Sequence, residues 1–159
     1  MTPGHYTELF FLDEATALAA GHRPCAECQR ERFNLFRELW AVANPELADT
    51  PPPAATTLDA ILHQERTASN SQVHTFSHSI EDLPDGAFVT HDGKTAYLVQ
   101  RNQLLRWTPA GYEHPPVHTI PFPVRVLTPA SVLRTLSAGY PVNIHSSAFQ
   151  RIEREGKTP

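Results

Sequence analysis

Asp13-Glu14-Ala15-Thr16-Ala17-Leu18-Ala19-Ala20 puts acidic residues in the first turn of a short helix, where they complement the helix dipole, and leaves Gly21 at the left-handed stop position. Pro24 suits the first turn of a second helix. That helix is predicted from about Cys25 to Ala43, because Phe33, Phe36, Trp40 and Ala43 recur on one face at helical spacing, with Leu35 and Leu39 beside them. Arg30, Glu31, Arg37 and Glu38 fall on the other side, so the aromatic stripe reads as core. Between Asn44 and Thr57 the chain carries Pro45, Pro51, Pro52 and Pro53 with little apolar content, which predicts a semi-extended connector. Thr57 then caps a brief helix over Leu58–Arg66, and Thr67 to Ser79 is polar, with sparse regular structure expected.

From Leu83 onward the period changes to that of strands. Gly86–Thr90, a turn at Asp92-Gly93, and Thr95–Val99 predict a hairpin, and Gln103–Trp107 a third strand before a turn at Pro109-Ala110-Gly111. Val124–Leu127 follows a proline-rich stretch ending in Pro121-Phe122-Pro123. Thr128-Pro129 caps a last helix through Ala138, Gly139 stops it, and Val142–His145 is expected to return to the sheet edge. Leu18-Ala19-Ala20-Gly21-His22 and Leu136-Ser137-Ala138-Gly139-Tyr140 end their helices alike, which reads as shared capping chemistry rather than duplication.

At 159 residues the chain suits one compact body, and no apolar run approaches the roughly 18 residues of a membrane span, so membrane insertion is not expected. Met1-Thr2-Pro3-Gly4-His5 lacks the basic and apolar regions of a signal peptide, and a cytoplasmic location is expected. The net charge of −4 is uneven: residues 1–92 carry five Lys/Arg against fourteen Asp/Glu, whereas Lys94, Arg101, Arg106, Arg125 and Arg134 face Glu113 alone over residues 93–141. Only the second half can attract an anion by bulk charge.

Both cysteines lie in Arg23-Pro24-Cys25-Ala26-Glu27-Cys28. In a reducing compartment a C-x-x-C points to metal ligands or a catalytic thiol pair before a structural disulfide, and two thiolates on a tight turn can share one zinc ion at about 2.3 Å each. A thioredoxin-like redox pair would need the cysteines at the start of a helix that follows a strand, whereas a helix precedes them here. Inert buried thiols are the third reading. Phe10-Phe11, Glu14-Ala15, Ala19-Ala20-Gly21 and Arg23-Pro24-Cys25-x-x-Cys28, in that order, resemble the second half of the zinc-binding N-terminal domain of the Ada DNA-alkylation-repair protein, over about residues 9–30. The resemblance implies that Cys25 and Cys28 bind zinc. The family's first cysteine pair, which includes its methyl-accepting nucleophile, has no counterpart in Met1–Leu9, so methyl transfer is not carried over.

Histidines are then the expected replacements, with His5 favoured by position and His63 by its helix. His22 stands where the family has an aromatic residue and is read as packing. His74 and His78 have the spacing of one helical face, but their serine- and threonine-rich neighbours argue against a helix. His63 and Glu65 form an acid/base candidate with Arg66 as anion clamp; no partner nucleophile is identifiable, and Ser146-Ser147 lacks a glycine-flanked elbow. Arg101, Arg106 and Arg125 interleaved with Tyr97, Trp107 and Tyr112 form a candidate nucleic-acid face, and Arg23 and Arg30 stand at the edge of the clip for phosphate.

The expected architecture is therefore α+β: a helical zinc-clip-like head (residues 1–46), a proline and polar connector with a short helix (47–80), a small antiparallel sheet with one helix (81–149), and a tail (150–159). The function expected is zinc binding with a structural metal, in a DNA-binding or DNA-repair accessory protein. Alternatives are a metal-dependent hydrolase or nuclease with an open zinc position, and a protein-interaction module.

Overall fold

The computed structural model describes residues 10–48, 50–67, 76–114 and 120–150. Helix α1 (Glu14–Ala19) starts at Asp13, whose carboxylate accepts the Thr16 N–H at 2.8 Å. It ends at Gly21 (φ 77°), with His22 N–H on the Ala17 carbonyl and Gly21 N–H on that of Leu18, the paired bonds of a glycine-stopped helix. Helix α2 (Arg30–Ala43) buries Phe33, Phe36 and Trp40, the predicted stripe. Helix α3 (Ala55–Thr67) buries Leu58 and Leu62, and helix α4 (Ala130–Ser137) buries Val132 and Leu136. These residues, with Leu18 and Tyr140, make one helical core. Truncating Trp40 or Phe36 in it would cost about 3–5 kcal/mol.

The strands β1 (Phe76–Ser77), β2 (Phe88–Thr90), β3 (Tyr97–Gln100), β4 (Gln103–Thr108), β5 (Gly111–Glu113) and β6 (Val124–Val126) form one sheet in the order β1-β6-β2-β3-β4-β5, antiparallel throughout. Val89, Val99, Leu104, Val124 and Val126 line one face, where Leu133 of α4 packs. Phe88, Leu98, Leu105 and Tyr112 line the other, covered by Ala15 of α1 and Ala148. The α+β expectation holds, but head and sheet share their packing: α1 gives Leu18 to the helical core and Ala15 to the sheet, and α4 likewise serves both.

Several boundaries differ from the sequence expectation for identifiable reasons. Helix α2 begins five residues late because Cys28 N–H is donated to the Cys25 sulfur, while the Pro24 carbonyl that a helix would offer it accepts from Arg23 Nη1. Helix α3 begins at Ala55, with Leu58 N–H on the Ala54 carbonyl, so Thr57 lies inside the first turn and is no cap. At α4 the cap is borrowed: Pro129 has no capping side chain, Thr128 Oγ1 accepts instead from Phe88 N–H, and Glu65 of α3 takes the Ser131 N–H at 3.0 Å. Strands β1 and β5 had no clear signature, being two and three residues long. Val142–His145 forms no strand, since Glu14 and Asp13 carboxylates accept the N–H groups of Asn143 and His145.

Candidate functional site

The turn holding Cys25 and Cys28 is seated between α2 and α3. Arg23 fixes its first residues, with Nη2 on Asp59 Oδ2 of α3 at 2.8 Å and the guanidinium 4.9 Å from the centre of the Phe33 ring of α2. The α1 stop packs against α3 as well: a Cβ at Gly21 would stand 3.2 Å from Arg66 Cδ. The His22 ring lies 5.1 Å from that of Phe11, the packing role expected of it. Its pKa is lowered by burial and by the neighbouring Arg66 charge, against a smaller raising effect of Asp59.

Pro24 is buried and Ala26 packs on the helical core, which leaves Cys25 and Cys28 on the outside of the turn, both exposed thiols not joined as a disulfide. The Cys28 N–H reaches Cys25 Sγ at 3.4 Å, and Gln29 N–H the Cys25 carbonyl at 2.9 Å. Donation from the backbone N–H of Cys28, then of Glu27, and the nearby Cys28 side chain hold the Cys25 thiol below the usual cysteine range. Cys28 borders an open depression shared with Glu27, Arg30 and Glu31. Two soft, adjacent, exposed sulfurs fit half of a tetrahedral zinc site. Among the described residues, no group of three or more His, Cys, Asp or Glu side chains is gathered to hold a metal ion.

The other sequence candidates are dispersed. His5 and His74 lie outside the described residues. His63 is exposed on α3, its Nδ1 3.4 Å from Arg66 Nη2. Glu65 points elsewhere, with both oxygens on Ser131, at 3.0 Å to N and 2.6 Å to Oγ. An acid/base pairing of His63 with Glu65 is therefore not assembled, and the helical offset of two residues explains it. Arg66 lies beside His63 and behind Gly21, with Glu65 turned away from both.

The arginines of the expected nucleic-acid face do not share one. Arg125 alternates with Val124 and Val126 and so lies on the sheet face opposite theirs, whereas Arg106, two residues from Leu104, lies on the same face as those valines. Arg106 is paired with Glu113 across β4 and β5 at 3.4 Å. Arg101 sits in the left-handed conformation (φ 48°) in the two-residue β3–β4 turn, its guanidinium 5.5 Å from the Phe149 ring centre. Trp107 is partly buried against the Phe88–Leu105 cluster. Arg30 is exposed beside Cys28.

A second polar cluster went unseen in the sequence. Asp13 Oδ2 accepts from Tyr112 Oη at 2.7 Å and from His145 N–H at 2.9 Å; Glu14 accepts from Arg32, from Tyr140 Oη at 2.6 Å and from Asn143 N–H at 2.8 Å. Burial, and then the adjoining carboxylates, push both tyrosine pKa values up. Each donor meets an acceptor here, and His145 Nδ1 with Ser147 Oγ at 2.9 Å closes a local cap around Ser147 N–H. The cluster is architectural. Its one sequence signal was the Asp13-Glu14 helix start, which does not name partners about a hundred residues away.

No protein family, curated protein or solved structure matches this chain.

Proposed function

We propose that this chain binds zinc through the thiolates of Cys25 and Cys28, as a structural metal in a DNA-associated protein. One observation carries the reading: the two sulfurs are exposed on one turn, and the backbone N–H of Cys28 is donated to Cys25 Sγ, an arrangement that supports a metal-bound thiolate. When bound, zinc would supply folding free energy, tying the α1 stop to the start of α2. Arg23, with Asp59 and Phe33, keeps that turn in place without the metal. His5 and His63 are the further ligands of this reading, His5 by its position upstream and His63 by its helix. The DNA setting rests on the Ada resemblance and on the exposed Arg30 beside the clip.

Metal analysis by mass spectrometry of protein purified without added metal tests this. About one zinc per chain is expected, lost in Cys25→Ser and Cys28→Ser and weakened in His5→Ala and His63→Ala. Wild-type protein that is metal-free, takes up no added zinc and shows full thermal stability overturns the proposal.

A further inference from the structure

The Cys25–Cys28 turn also has the geometry of a dithiol that can close on itself. The Cys25 carbonyl accepts from Gln29 N–H at 2.9 Å and that of Gln29 from Phe33 N–H at 2.8 Å, so the cysteine turn leads directly into α2, which starts at Arg30 after the non-helical Gln29. In sequence a helix, and not the strand of a thioredoxin-like pair, precedes the cysteines. What matters physically is that a helix follows, with the Cys28 N–H ahead of it directed at the first sulfur. Cysteines three residues apart on one tight turn fall within the separation that a disulfide spans, and both side chains stand on the exposed side of that turn. Both side chains lie outside the helical core, so closing the bond does not open it. Both residues are exposed, so a small disulfide can approach either. The two sulfurs are not equivalent: the Cys28 N–H stands 3.4 Å from Cys25 Sγ, where it stabilises charge on that sulfur.

We propose that the metal-free chain carries out thiol–disulfide exchange with low-molecular-weight disulfides, with Cys25 as the attacking sulfur and Cys28 as the resolving one. The Cys25 thiolate attacks one sulfur of RSSR; a Cys25–SR bond forms, the S–S bond breaks, and RS⁻ leaves to take up a proton. Cys28, giving its proton to solvent, attacks Cys25 Sγ and expels the second RS⁻, which is protonated in turn. The dithiol is oxidised to the Cys25–Cys28 disulfide and RSSR is reduced to two RSH. The exchange uses the same sulfurs as the zinc reading but does not rest on it, because it belongs to the chain without metal.

The experiment uses the full chain, reduced and stripped with a chelator, mixed with glutathione disulfide, quenched in acid and read by intact mass, with circular dichroism confirming that each variant is folded. Wild type should become lighter by two hydrogens with only a transient adduct. Cys28→Ser should trap glutathione on Cys25 as a stable mixed disulfide, and Cys25→Ser should form its adduct about tenfold more slowly. Equal adduct rates in the two variants, a wild type that stops at the mixed disulfide, or no reaction would each overturn the proposal. Prior loading with zinc should suppress the exchange. Exchange that proceeds unchanged in zinc counts against the metal reading and leaves this one standing.

Discussion

The two glycine-stopped helices end in the same way and lead to opposite outcomes. After Gly21 the chain passes through His22, Arg23 and Pro24 into an exposed pair of thiols; after Gly139 it passes through Tyr140, Pro141 and Val142 into a lattice of hydrogen bonds. In both, the N–H groups of the glycine and of its successor return to carbonyls of the last turn. What differs is the neighbourhood. The segment after Gly139 runs past Glu14 and Arg32, whose side chains take up Tyr140 Oη, the Pro141 carbonyl and the Asn143 N–H, so its polar groups are spent on holding the fold. The segment after Gly21 is anchored by the Arg23 side chain, by buried Pro24 and by Ala26, and its sulfurs face outward. A capping motif ends a helix; the partners that the fold brings to the next residues decide whether their polar groups are bonded into the fold or left exposed.

The largest break in the comparison should come from Glu14→Ala. Glu14 is only 10% exposed at its side chain and holds Arg32, Tyr140 and Asn143 together, so its removal leaves a part-buried guanidinium and two donors without their acceptor. A loss of about 3 kcal/mol in urea denaturation is expected. A loss below about 1 kcal/mol would mean that the lattice after Gly139 contributes no more than surface contacts do.

Next are the glycines themselves. Gly139 has φ 94°, and a Cβ added there would meet nothing within 4 Å, so Gly139→Ala should cost only the left-handed strain, about 1 kcal/mol. At Gly21 (φ 77°) a methyl group would also stand 3.2 Å from Arg66 Cδ, and Gly21→Ala should cost about 1–2 kcal/mol. Thermal melts of the two variants side by side give the difference. Equal costs would show that the Arg66 chain simply moves aside.

The smallest effect expected is one of pH. Burial and Arg66 lower the pKa of His22 from its ordinary 6.5, so on acidification the unfolded chain takes up this proton before the folded one does. The stability His22 contributes is therefore present above about pH 6.5 and is lost as pH falls from there toward its folded-state pKa. His22→Phe, which keeps a ring against Phe11, should flatten the decline of Tm between about pH 7 and pH 5. An unchanged slope would remove His22 as a contributor.

Much of this fold was legible residue by residue. The acidic start of α1, the Gly21 and Gly139 stops, the Phe33–Phe36–Trp40 stripe and the strands around Val89, Val99 and Leu105 follow from local propensity and period, which depend on neighbours a few positions away. The prominence of Cys25 and Cys28 was equally local, since their spacing is written in the chain. What the sequence left open involves distant partners. Glu65 has the look of an acid/base residue on α3 until α4, sixty-odd residues later, presents an uncapped N-terminus to it. Arg106 and Arg125 look like one basic face until the register of six strands sets them on opposite sides of the sheet. Asp13 and Glu14 look like ordinary first-turn acids until Tyr112, Tyr140 and the backbone of Asn143 and His145 reach them. Helix period, capping and cysteine spacing are set by a few consecutive residues and so were determined by the sequence itself. The destination of each buried carboxylate, and the face on which each cation stands, depended on which remote donors the packed chain delivered, and only the tertiary structure decided them.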